Sequence, residues 1–352
     1  MFQSFISHLS STFSSRPILS SVVAGVSSLL LLYQGKKYYN GGQVSADLLS
    51  KSNLKGKIVI VTGASPGGIG YETAKVLHSV GATVILAVRD EKNGNESKRL
   101  IEKENHGGSD RLVVMLMDLT DLASVKQFAT EFKKQFSELD ILINNAGIMM
   151  CPFATTKQNI EIQFGTNHVG HFLLTLLLLD LIKKSSIGRV INVSSLAASG
   201  IKQAETKTFA SFTEESVKGD GSNLGVSVGK IYSRSKFANV LFTKKLDREL
   251  KKDSPNAASY SCHPGVVRTN LGRHLPRWLM VVVTPIFYYF TKSPLDGAQT
   301  SLHLALSPSS SLKGGNYYSD CKEKVGNPLE NSTELQDRLW ETSLELCQEY
   351  LK

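Results

Sequence analysis

Tyr232 and Lys236 have the residue types and the spacing that proton transfer to an oxygen atom requires. They open residues 232–242, whose apolar positions recur with a helical period, and residues four apart lie on one face of a helix. A free tyrosine has a pKa of about 10, and a fixed ammonium group nearby favours the phenolate and lowers that pKa. The pair could therefore act as a general acid or base on an alcohol or a carbonyl. Because Tyr-x-x-x-Lys also arises by chance, an ordinary exposed helix face is the alternative.

A glycine-rich turn stands between a predicted strand and a predicted helix. Residues 57–61 are apolar and β-branched, residues 62–70 read Thr-Gly-Ala-Ser-Pro-Gly-Gly-Ile-Gly, and residues 71–77 have a helical pattern. This order presents backbone N–H groups and a helix N-terminus to a pyrophosphate, and glycines permit its close approach. The turn therefore predicts dinucleotide binding, with a plain surface turn as the alternative.

The end of the next predicted strand bears on the choice of cofactor. Residues 82–88 are apolar, and Arg89 and Asp90 follow them directly. An acid at this position would hold the ribose 2′-hydroxyl of NAD, whereas an arginine would hold the 2′-phosphate of NADP. Since Arg89 comes first after the strand, the pattern favours NADP(H). A surface ion pair is the other interpretation of Arg89.

The alternation of strands and helices continues and predicts the fold class. Further strands are expected at residues 112–117, 139–143, 188–193 and 258–262, with helices at 121–136, 166–182 and from about 333. The prediction is an α/β fold, a doubly wound (Rossmann-type) parallel sheet in a single domain over residues 54–352. Ligand contacts belong at the carboxyl ends of its strands. Polar residues 199–229 read as a loop inserted between Ser195 and Tyr232, placed to lie over the site.

Metal and disulfide chemistry have little support in the sequence. His168 and His171 are three apart with no acid or cysteine joining them, so they are expected to pack in the helix or lie on the surface. The four cysteines include no Cys-x-x-Cys pair, which argues against a zinc site and against a disulfide framework. A reducing compartment is consistent with this pattern.

Residues 1–53 are predicted to form an apolar anchor and a basic linker. Residues 18–33 carry no charge, and Lys36 and Lys37 follow them, which places the rest of the chain in the cytosol by the positive-inside rule. The predicted location is the endoplasmic reticulum membrane. A mitochondrial membrane is the alternative, because the first 46 residues contain no acid.

The charge distribution and a second apolar segment also bear on the partners. Six basic residues against one acid give residues 1–57 a charge of +5, out of +9 for the chain, which argues against a nucleic-acid groove. Residues 276–290 are apolar and aromatic, and either a buried substrate helix or a second membrane contact would explain them. Residues 270–295 are accordingly expected to face the substrate or the membrane.

Taken together, the motifs resemble those of the short-chain dehydrogenase/reductase family over roughly residues 54–350. Within it the chain looks most like the membrane-bound retinol dehydrogenases. The segments that carry this closer resemblance are residues 167–172, 235–243, 263–269 and 317–321. One departure is that four residues, rather than the family's three, separate Gly63 from Gly68, so the phosphate contacts must accommodate an extra residue around Pro66 and Gly67.

The resemblance implies a set of residue roles. Tyr232 would be the general acid/base, Lys236 would lower its pKa and bind the nicotinamide ribose, and Ser195 would hold the substrate oxygen. Asn167 would support a water that links Lys236 to bulk solvent. Asp118 and Leu119 would bracket the adenine, and Thr269 would hold the carboxamide. The cofactor-binding set implied is Gly63, Ser65, Gly68, Ile69, Gly70, Arg89, Asp118, Leu119, Asn145, Ala146, Gly147, Tyr232, Lys236 and Thr269.

The function expected is therefore an NADP(H)-dependent oxidoreductase that interconverts an alcohol and a carbonyl on a lipophilic, retinol- or retinal-like substrate. Two alternatives stay open. One is a reductase of another lipophilic carbonyl, such as a steroid, a fatty aldehyde or a quinone. The other is a non-catalytic, membrane-tethered NADP-binding sensor. No nucleic-acid partner is expected, and self-association into a homo-oligomer is left open.

Overall fold

A computed structural model describes residues 17–268 and 289–352. Within these residues the chain forms one eight-stranded sheet in the order β3-β2-β1-β4-β5-β6-β7-β8, parallel except for the final β7–β8 pair. The predicted α/β fold with a doubly wound, Rossmann-type sheet is confirmed. The strands are β1 (Ile58–Thr62), β2 (Thr83–Val88), β3 (Leu112–Leu116), β4 (Ile141–Asn144), β5 (Arg189–Val193), β6 (Ala258–His263), β7 (Tyr317–Ser319) and β8 (Lys322–Lys324).

The central strands are buried on both faces, which explains why their sequences are continuously apolar rather than alternating. Every residue of β4 and β5 is buried, and so is all of β1 after Ile58. Val59 pairs with Val84 of β2 on one side and with Ile141 of β4 on the other. This register brings the carboxyl ends of β1, β2 and β4 to the same edge of the sheet.

Helices cover both faces of the sheet. The longer helices are α1 (Pro17–Asn40), α2 (Ala46–Lys51), α3 (Ile69–Ser79), α4 (Glu91–Glu104), α5 (Leu122–Gln135), α6 (Ile162–Lys184), α7 (Val228–Leu250), α8 (Pro294–Leu306) and α9 (Thr333–Cys347). One apolar core joins the sheet to α5, α6, α7 and α9, and a second joins the opposite face to α3, α4 and α8. Helices α2, α4 and α8 and the β7–β8 pair were not predicted from the sequence.

Helix α6 is the core helix behind the site. By length and composition it could cross a membrane, and no other helix among the described residues passes the same test. However, 78% of its most apolar 18-residue stretch is buried inside the protein. Its residues Gly165–Val169 form a π-helical turn. Such turns insert one extra residue into a helix and are frequent at functional sites.

Helix α1 presents an exposed apolar surface and is held to the main body at its C-terminal end. Leu29 and Leu31 are 67% and 73% exposed. Lys36 Nζ donates hydrogen bonds to the backbone oxygens of Tyr289 at 3.1 Å and of Thr291 at 2.6 Å. The Tyr39 ring meets that of Phe290 edge to face at 4.7 Å. The first 16 residues of the predicted anchor lie outside the described residues.

Residues 199–229 fold as short helical turns fastened to the core. Phe212 and Val217 are fully buried, and the Thr342 hydroxyl of α9 donates to the Phe212 carbonyl at 2.6 Å. The side chain of Asn327 donates to the carbonyl of Ile201 at 2.7 Å. Of the segment 270–295, residues 270–288 lie outside the described residues, and Pro294 already begins α8, which packs against α3.

Candidate active site

A cleft of about 630 Å³ lies at the carboxyl ends of β1, β2, β3 and β4. It is bordered by the glycine turn after β1 and by the residues that follow the other three strands. Ten of the fourteen predicted cofactor residues line it: Gly63, Ser65, Gly68, Ile69, Arg89, Asp118, Leu119, Asn145, Ala146 and Gly147. Gly70, Tyr232 and Lys236 do not line it, and Thr269 lies outside the described residues.

The glycine turn needs glycine at three positions for different reasons. Gly63 has φ of +69°, and a Cβ there would lie 2.9 Å from the Cα of Ala146. A Cβ on Gly70 would lie 2.5 Å from Asn145 Nδ2. Gly67 has φ of +72° but faces open space. The extra residue of the loop is therefore accommodated by a left-handed turn at Gly67 that points away from the protein.

The turn is locked to the end of β4 by a residue that the sequence analysis missed. The Thr62 hydroxyl accepts hydrogen bonds from the backbone N–H groups of Asn145 and Ala146, both at 2.9 Å. Asn145 Nδ2 donates in turn to the Thr62 carbonyl at 2.8 Å. The position of Thr62, directly before the first glycine, was the available signal. These bonds fix the edge of the cleft against which a pyrophosphate would lie.

Arg89 and Asp90 have different environments at the end of β2. The Asp90 carboxylate is the N-cap of α4 and accepts from the Asn93 backbone N–H at 2.8 Å. Arg89 is exposed, lines the cleft, and forms no ion pair with any residue in the part of the chain that the structure describes. The arginine is thus available to an anion in the cleft, whereas the aspartate is engaged with its helix.

Asp118 and Leu119, the residues predicted to bracket the adenine, border the cleft beyond β3. The Asp118 carboxylate accepts from both the backbone N–H and the hydroxyl of Thr120, at 2.9 and 2.8 Å. Leu119 is 7% exposed. The carboxylate is held in place by a two-residue turn, and the leucine supplies an apolar wall.

Tyr232 and Lys236 lie in the first turns of α7 and share one face of that helix. Lys236 Nζ is 5.9 Å from the centre of the Tyr232 ring and donates to the Val193 carbonyl at the end of β5 at 2.9 Å. Burial lowers the pKa of Lys236 to about 8. The helix therefore supplies the side-by-side arrangement that the four-residue spacing predicts.

Tyr232 is less acidic than its spacing from Lys236 predicts. The pKa of Tyr232 is raised to about 12, because burial disfavours the phenolate and the Ser195 side chain offsets only part of this. The Lys236 ammonium, which donates to the Val193 carbonyl, does not offset this effect of burial. The pair has the expected geometry, but the phenol stays protonated at neutral pH because burial outweighs the neighbouring charge.

Ser195 follows β5 and faces the same region. It is the N-cap of a short helical turn, and its hydroxyl accepts from the Ala197 backbone N–H at 3.2 Å. The hydroxyl of the preceding Ser194 does not face the site, because it donates to the backbone oxygen of Lys236 at 2.7 Å. Of the two adjacent serines, Ser195 is thus the one left beside the Tyr232 phenol.

Asn167 occupies the π-helical turn of α6 and is fully buried. Its amide oxygen accepts from the Ile148 backbone N–H at 2.8 Å, and its Nδ2 donates to the Ser235 hydroxyl at 2.9 Å. Gly147 lies between this amide and Lys236, because a Cβ there would be 3.1 Å from Asn167 Oδ1 and 3.4 Å from Lys236 Nζ. The π-helical turn therefore places Asn167 close to Lys236.

The two histidines of α6 are buried, neutral packing residues. His171 joins the Thr62 hydroxyl at 2.9 Å to the Asn167 carbonyl at 3.1 Å, and burial lowers its pKa to about 4. His168 contacts the Ser343 hydroxyl at 2.8 Å. Residues 17–268 and 289–352 contain no cluster of three histidine, cysteine or acidic side chains suited to a metal ion.

These residues suit a dinucleotide whose reactive end reaches Tyr232. The glycines let the turn pack closely against the residues after β4, and Arg89 is an exposed cation that lines the same cleft. Gly147 connects the cleft to the reacting residues, since it lines the cleft and only a Cβ would separate it from Asn167 and Lys236. The arrangement can bind a dinucleotide and present a phenol and a serine hydroxyl beside it.

Comparison with known proteins gives the family. The sequence model of the short chain dehydrogenases matches residues 57–209. Human retinol dehydrogenase 12 is 39% identical over 311 residues, which cover 88% of this chain and 91% of that protein. The chloroplastic short-chain dehydrogenase TIC 32 B of Brassica napus is 37% identical, covering 89% and 95% of the two chains.

Solved structures agree with the fold. A protein from Mycobacterium paratuberculosis superposes with a TM-score of 0.64 at 30% identity, covering 85% of this chain and 97% of that one. A short chain dehydrogenase from Shigella flexneri 2a, complexed with NADP, has a TM-score of 0.56 at 23% identity, with 77% and 100% covered. By its identity to these relatives over most of its length, this chain belongs to the short-chain dehydrogenase family of oxidoreductases and is similar within it to the retinol dehydrogenases.

Proposed function

We propose that this protein is an NADP(H)-dependent oxidoreductase that interconverts an alcohol and a carbonyl on a lipophilic, retinol- or retinal-like substrate. The observation that carries the proposal is the convergence of Ser195, Tyr232, Lys236 and Asn167 beside a cleft shaped for a dinucleotide. A protein that only bound the cofactor would need the glycine turn but not these four residues.

In the direction of reduction, bound NADPH would supply the hydride. Tyr232 provides the proton for the developing alkoxide, and Ser195 holds the same oxygen by a hydrogen bond. The raised pKa of Tyr232 keeps the phenol protonated at neutral pH, which suits a proton donor. With a pKa of about 8, Lys236 is still largely charged at pH 7 and can stabilise the phenolate left after transfer. Asn167 fixes the main chain that follows Gly147, close to that lysine, by accepting a hydrogen bond from the Ile148 N–H.

The preference for NADP(H) over NAD(H) rests on Arg89. Its guanidinium is exposed, borders the cleft at the end of β2, and has no carboxylate partner in the described parts of the chain. A planar guanidinium can bind a phosphate through two hydrogen bonds at once, which favours the 2′-phosphate of NADP. The neighbouring Asp90 is occupied in capping α4 and is poorly placed to bind a ribose hydroxyl instead.

A lipophilic substrate is supported by the exposed apolar residues near the strand ends. Leu196 after β5, Val266 after β6 and Phe290 are 62%, 59% and 47% exposed. Phe290 touches Tyr39 of α1, whose apolar surface would lie in a bilayer. We infer attachment through α1, with the catalytic domain on the cytosolic side of the endoplasmic reticulum or, alternatively, at a mitochondrial membrane.

The decisive experiment is turnover of a mixed library of aldehydes and ketones, including retinal, by purified full-length protein with NADPH. Wild type should oxidise NADPH with at least one apolar carbonyl. Tyr232→Phe should lose at least 1000-fold in kcat while still binding NADPH, since only the transferable proton is removed. Tyr318→Phe, which alters a phenol in β7, is the matched control and should leave kcat unchanged. Full turnover by Tyr232→Phe would refute the catalytic proposal and favour a cofactor-binding sensor.

A further inference from the structure

Arg234 is a fully buried cation in the catalytic helix α7, and the proposed chemistry does not use it. It is 0% exposed and one of the largest side chains buried so completely. It lies two positions from both Tyr232 and Lys236, and side chains two positions apart in an α-helix point about 200° away from each other around the helix axis. Arg234 therefore points away from the reacting groups, on the opposite side of the same helical turn.

The guanidinium of Arg234 binds two different parts of the chain. Nη1 donates to the backbone oxygen of Phe209 at 3.0 Å and also to that of Ser216, both within residues 199–229. Nη2 lies 3.3 Å from the Glu161 carboxylate, whose side chain is also almost fully buried. The guanidinium carbon is 5.3 Å from the centre of the Phe164 ring.

Glu161 connects this arginine to the helix that carries Asn167. Its carboxylate is the N-cap of α6 and accepts from the backbone N–H groups of Gln163 at 2.9 Å and Phe164 at 2.8 Å. The π-helical turn with Asn167 begins at Gly165, directly afterwards. The Arg234–Glu161 pair thus joins the first turns of the two helices that present Tyr232, Lys236 and Asn167.

Residues 199–229 are fastened at the same point by their backbone. The Glu161 N–H donates to the Val217 carbonyl at 2.8 Å, and the Gly219 N–H donates to the Asn159 carbonyl at 2.9 Å. Gln163 Nε2 donates to the Val228 carbonyl at 3.0 Å. The inserted segment therefore closes around Arg234 rather than folding as an independent flap.

We propose that Arg234 is a positioning residue that sets the placement of Tyr232 and Lys236 relative to Asn167 and holds residues 199–229 against the first turns of α6 and α7. Arginine suits this position because one planar group reaches two carbonyls and a carboxylate in fixed directions, which a lysine ammonium cannot do. The effect on turnover rests on the proposed oxidoreductase function, but the effect on the inserted segment does not.

The test compares Arg234→Lys with Arg189→Lys in the full-length protein. Arg189 is also buried and also binds backbone carbonyls, those of Leu304, Ala305 and Ser307, but at the end of α8. The two variants thus make the same chemical change in similar surroundings, and only Arg234 contacts the inserted segment. We measure kcat and KM, the pH profile of kcat, NADPH affinity, and tryptic cleavage at the exposed Lys202 and Lys207.

For Arg234→Lys we expect kcat to fall at least tenfold, KM for the carbonyl to rise, the pH profile to shift, and cleavage at Lys202 and Lys207 to accelerate at least fivefold. NADPH affinity should fall much less than kcat, because neither Arg234 nor any group that it binds lines the cleft. Arg189→Lys should leave all of these within twofold of wild type. Equal cleavage rates in wild type and Arg234→Lys, or the same losses in Arg189→Lys, would overturn the proposal.

A second variant covers the case in which Arg234→Lys does not fold. Glu161→Gln combined with Arg234→Met removes both charges, so no buried carboxylate is left unpaired. This double variant should fold and should be cleaved faster than wild type, because the Phe209 and Ser216 carbonyls have lost their donor. Cleavage of the double variant at the wild-type rate would refute the positioning role. Cleavage needs no turnover, so a wild type that is inactive with every carbonyl would refute only the oxidoreductase proposal.

Discussion

Replacing Lys236 with methionine should make the protein more stable while abolishing its activity. The lysine is buried, and burial lowers its pKa from 10.5 to about 8. A pKa that falls on folding means that the charged form is less favourable in the folded state than in the unfolded one. Methionine has a similar length and no charge, so it removes this cost.

The magnitude follows from the size of that pKa change. At about 1.36 kcal/mol for each unit, a drop from 10.5 to about 8 corresponds to about 3 kcal/mol at pH 7. The Val193 carbonyl keeps a second donor, Asn239 Nδ2 at 3.3 Å, so losing the ammonium does not leave it unpaired. With about 2 °C per kcal/mol for a chain of this length, the melting temperature should rise by about 6 °C.

The pH dependence gives the sharper test. Between pH 8 and 10.5 the unfolded chain binds a proton at Lys236 that the folded protein has already released, so wild-type stability rises with pH in this window. The advantage of Lys236→Met is therefore complete at pH 7 and shrinks toward zero by about pH 10.5. Tyr232, whose pKa is raised to about 12, is present in both proteins and cancels from the difference.

The assay is thermal unfolding of the full-length protein in detergent at pH 7, 8, 9 and 10, followed by NADPH turnover at pH 7. Lys245→Met is the control, because Lys245 lies on the same helix but is paired with Asp337 at 2.9 Å and has a raised pKa. It should give no gain in melting temperature. A lower melting temperature for Lys236→Met at pH 7, or a difference from wild type that does not change with pH, would refute the reasoning.

Three further predictions concern the cofactor, the cleft and the membrane. Arg89→Ala should weaken NADPH binding about 10- to 100-fold, the loss of one charge-assisted phosphate contact, and leave NADH unchanged; equal losses in titrations with both cofactors would contradict the 2′-phosphate role. Asn145→Ala should weaken both cofactors alike in the same titrations, because it removes the side-chain hydrogen bond from β4 to the Thr62 carbonyl of the glycine turn; a loss confined to NADPH would count against this. Deletion of residues 1–40 should release the protein from membranes in a pelleting assay, and continued pelleting would point to residues 276–290 instead.

The strands and most of the site could be predicted because their signals are local. Strands β1 to β5 are mostly apolar runs, and the residues after the strands are where a parallel sheet collects its ligands. The spacing of Tyr232 and Lys236 places both on one helix face in any α-helix. These features need no knowledge of which residues meet across the fold.

The missed elements had weak or unused local signals. Helix α4 buries only Gly94, Ser97 and Ile101, so its sequence has almost no apolar stripe to indicate a helix. Strands β7 and β8 are three residues each, too short for a pattern. Helix α8 did have a signal, since Ser293, Pro294 and Asp296 form a capping box with proline in the first turn.

The sequence alone determined which chemical groups are present, their order, and the helix and strands that carry them. Only the tertiary structure decided how those groups are charged and what holds them. Lys236 was expected to lower the pKa of Tyr232, but the burial of both side chains outweighs that effect. Arg234 and Glu161, 73 residues apart in the chain, meet only in the folded protein. Burial and long-range pairing depend on every element that packs around a residue, and spacing along the chain does not encode them.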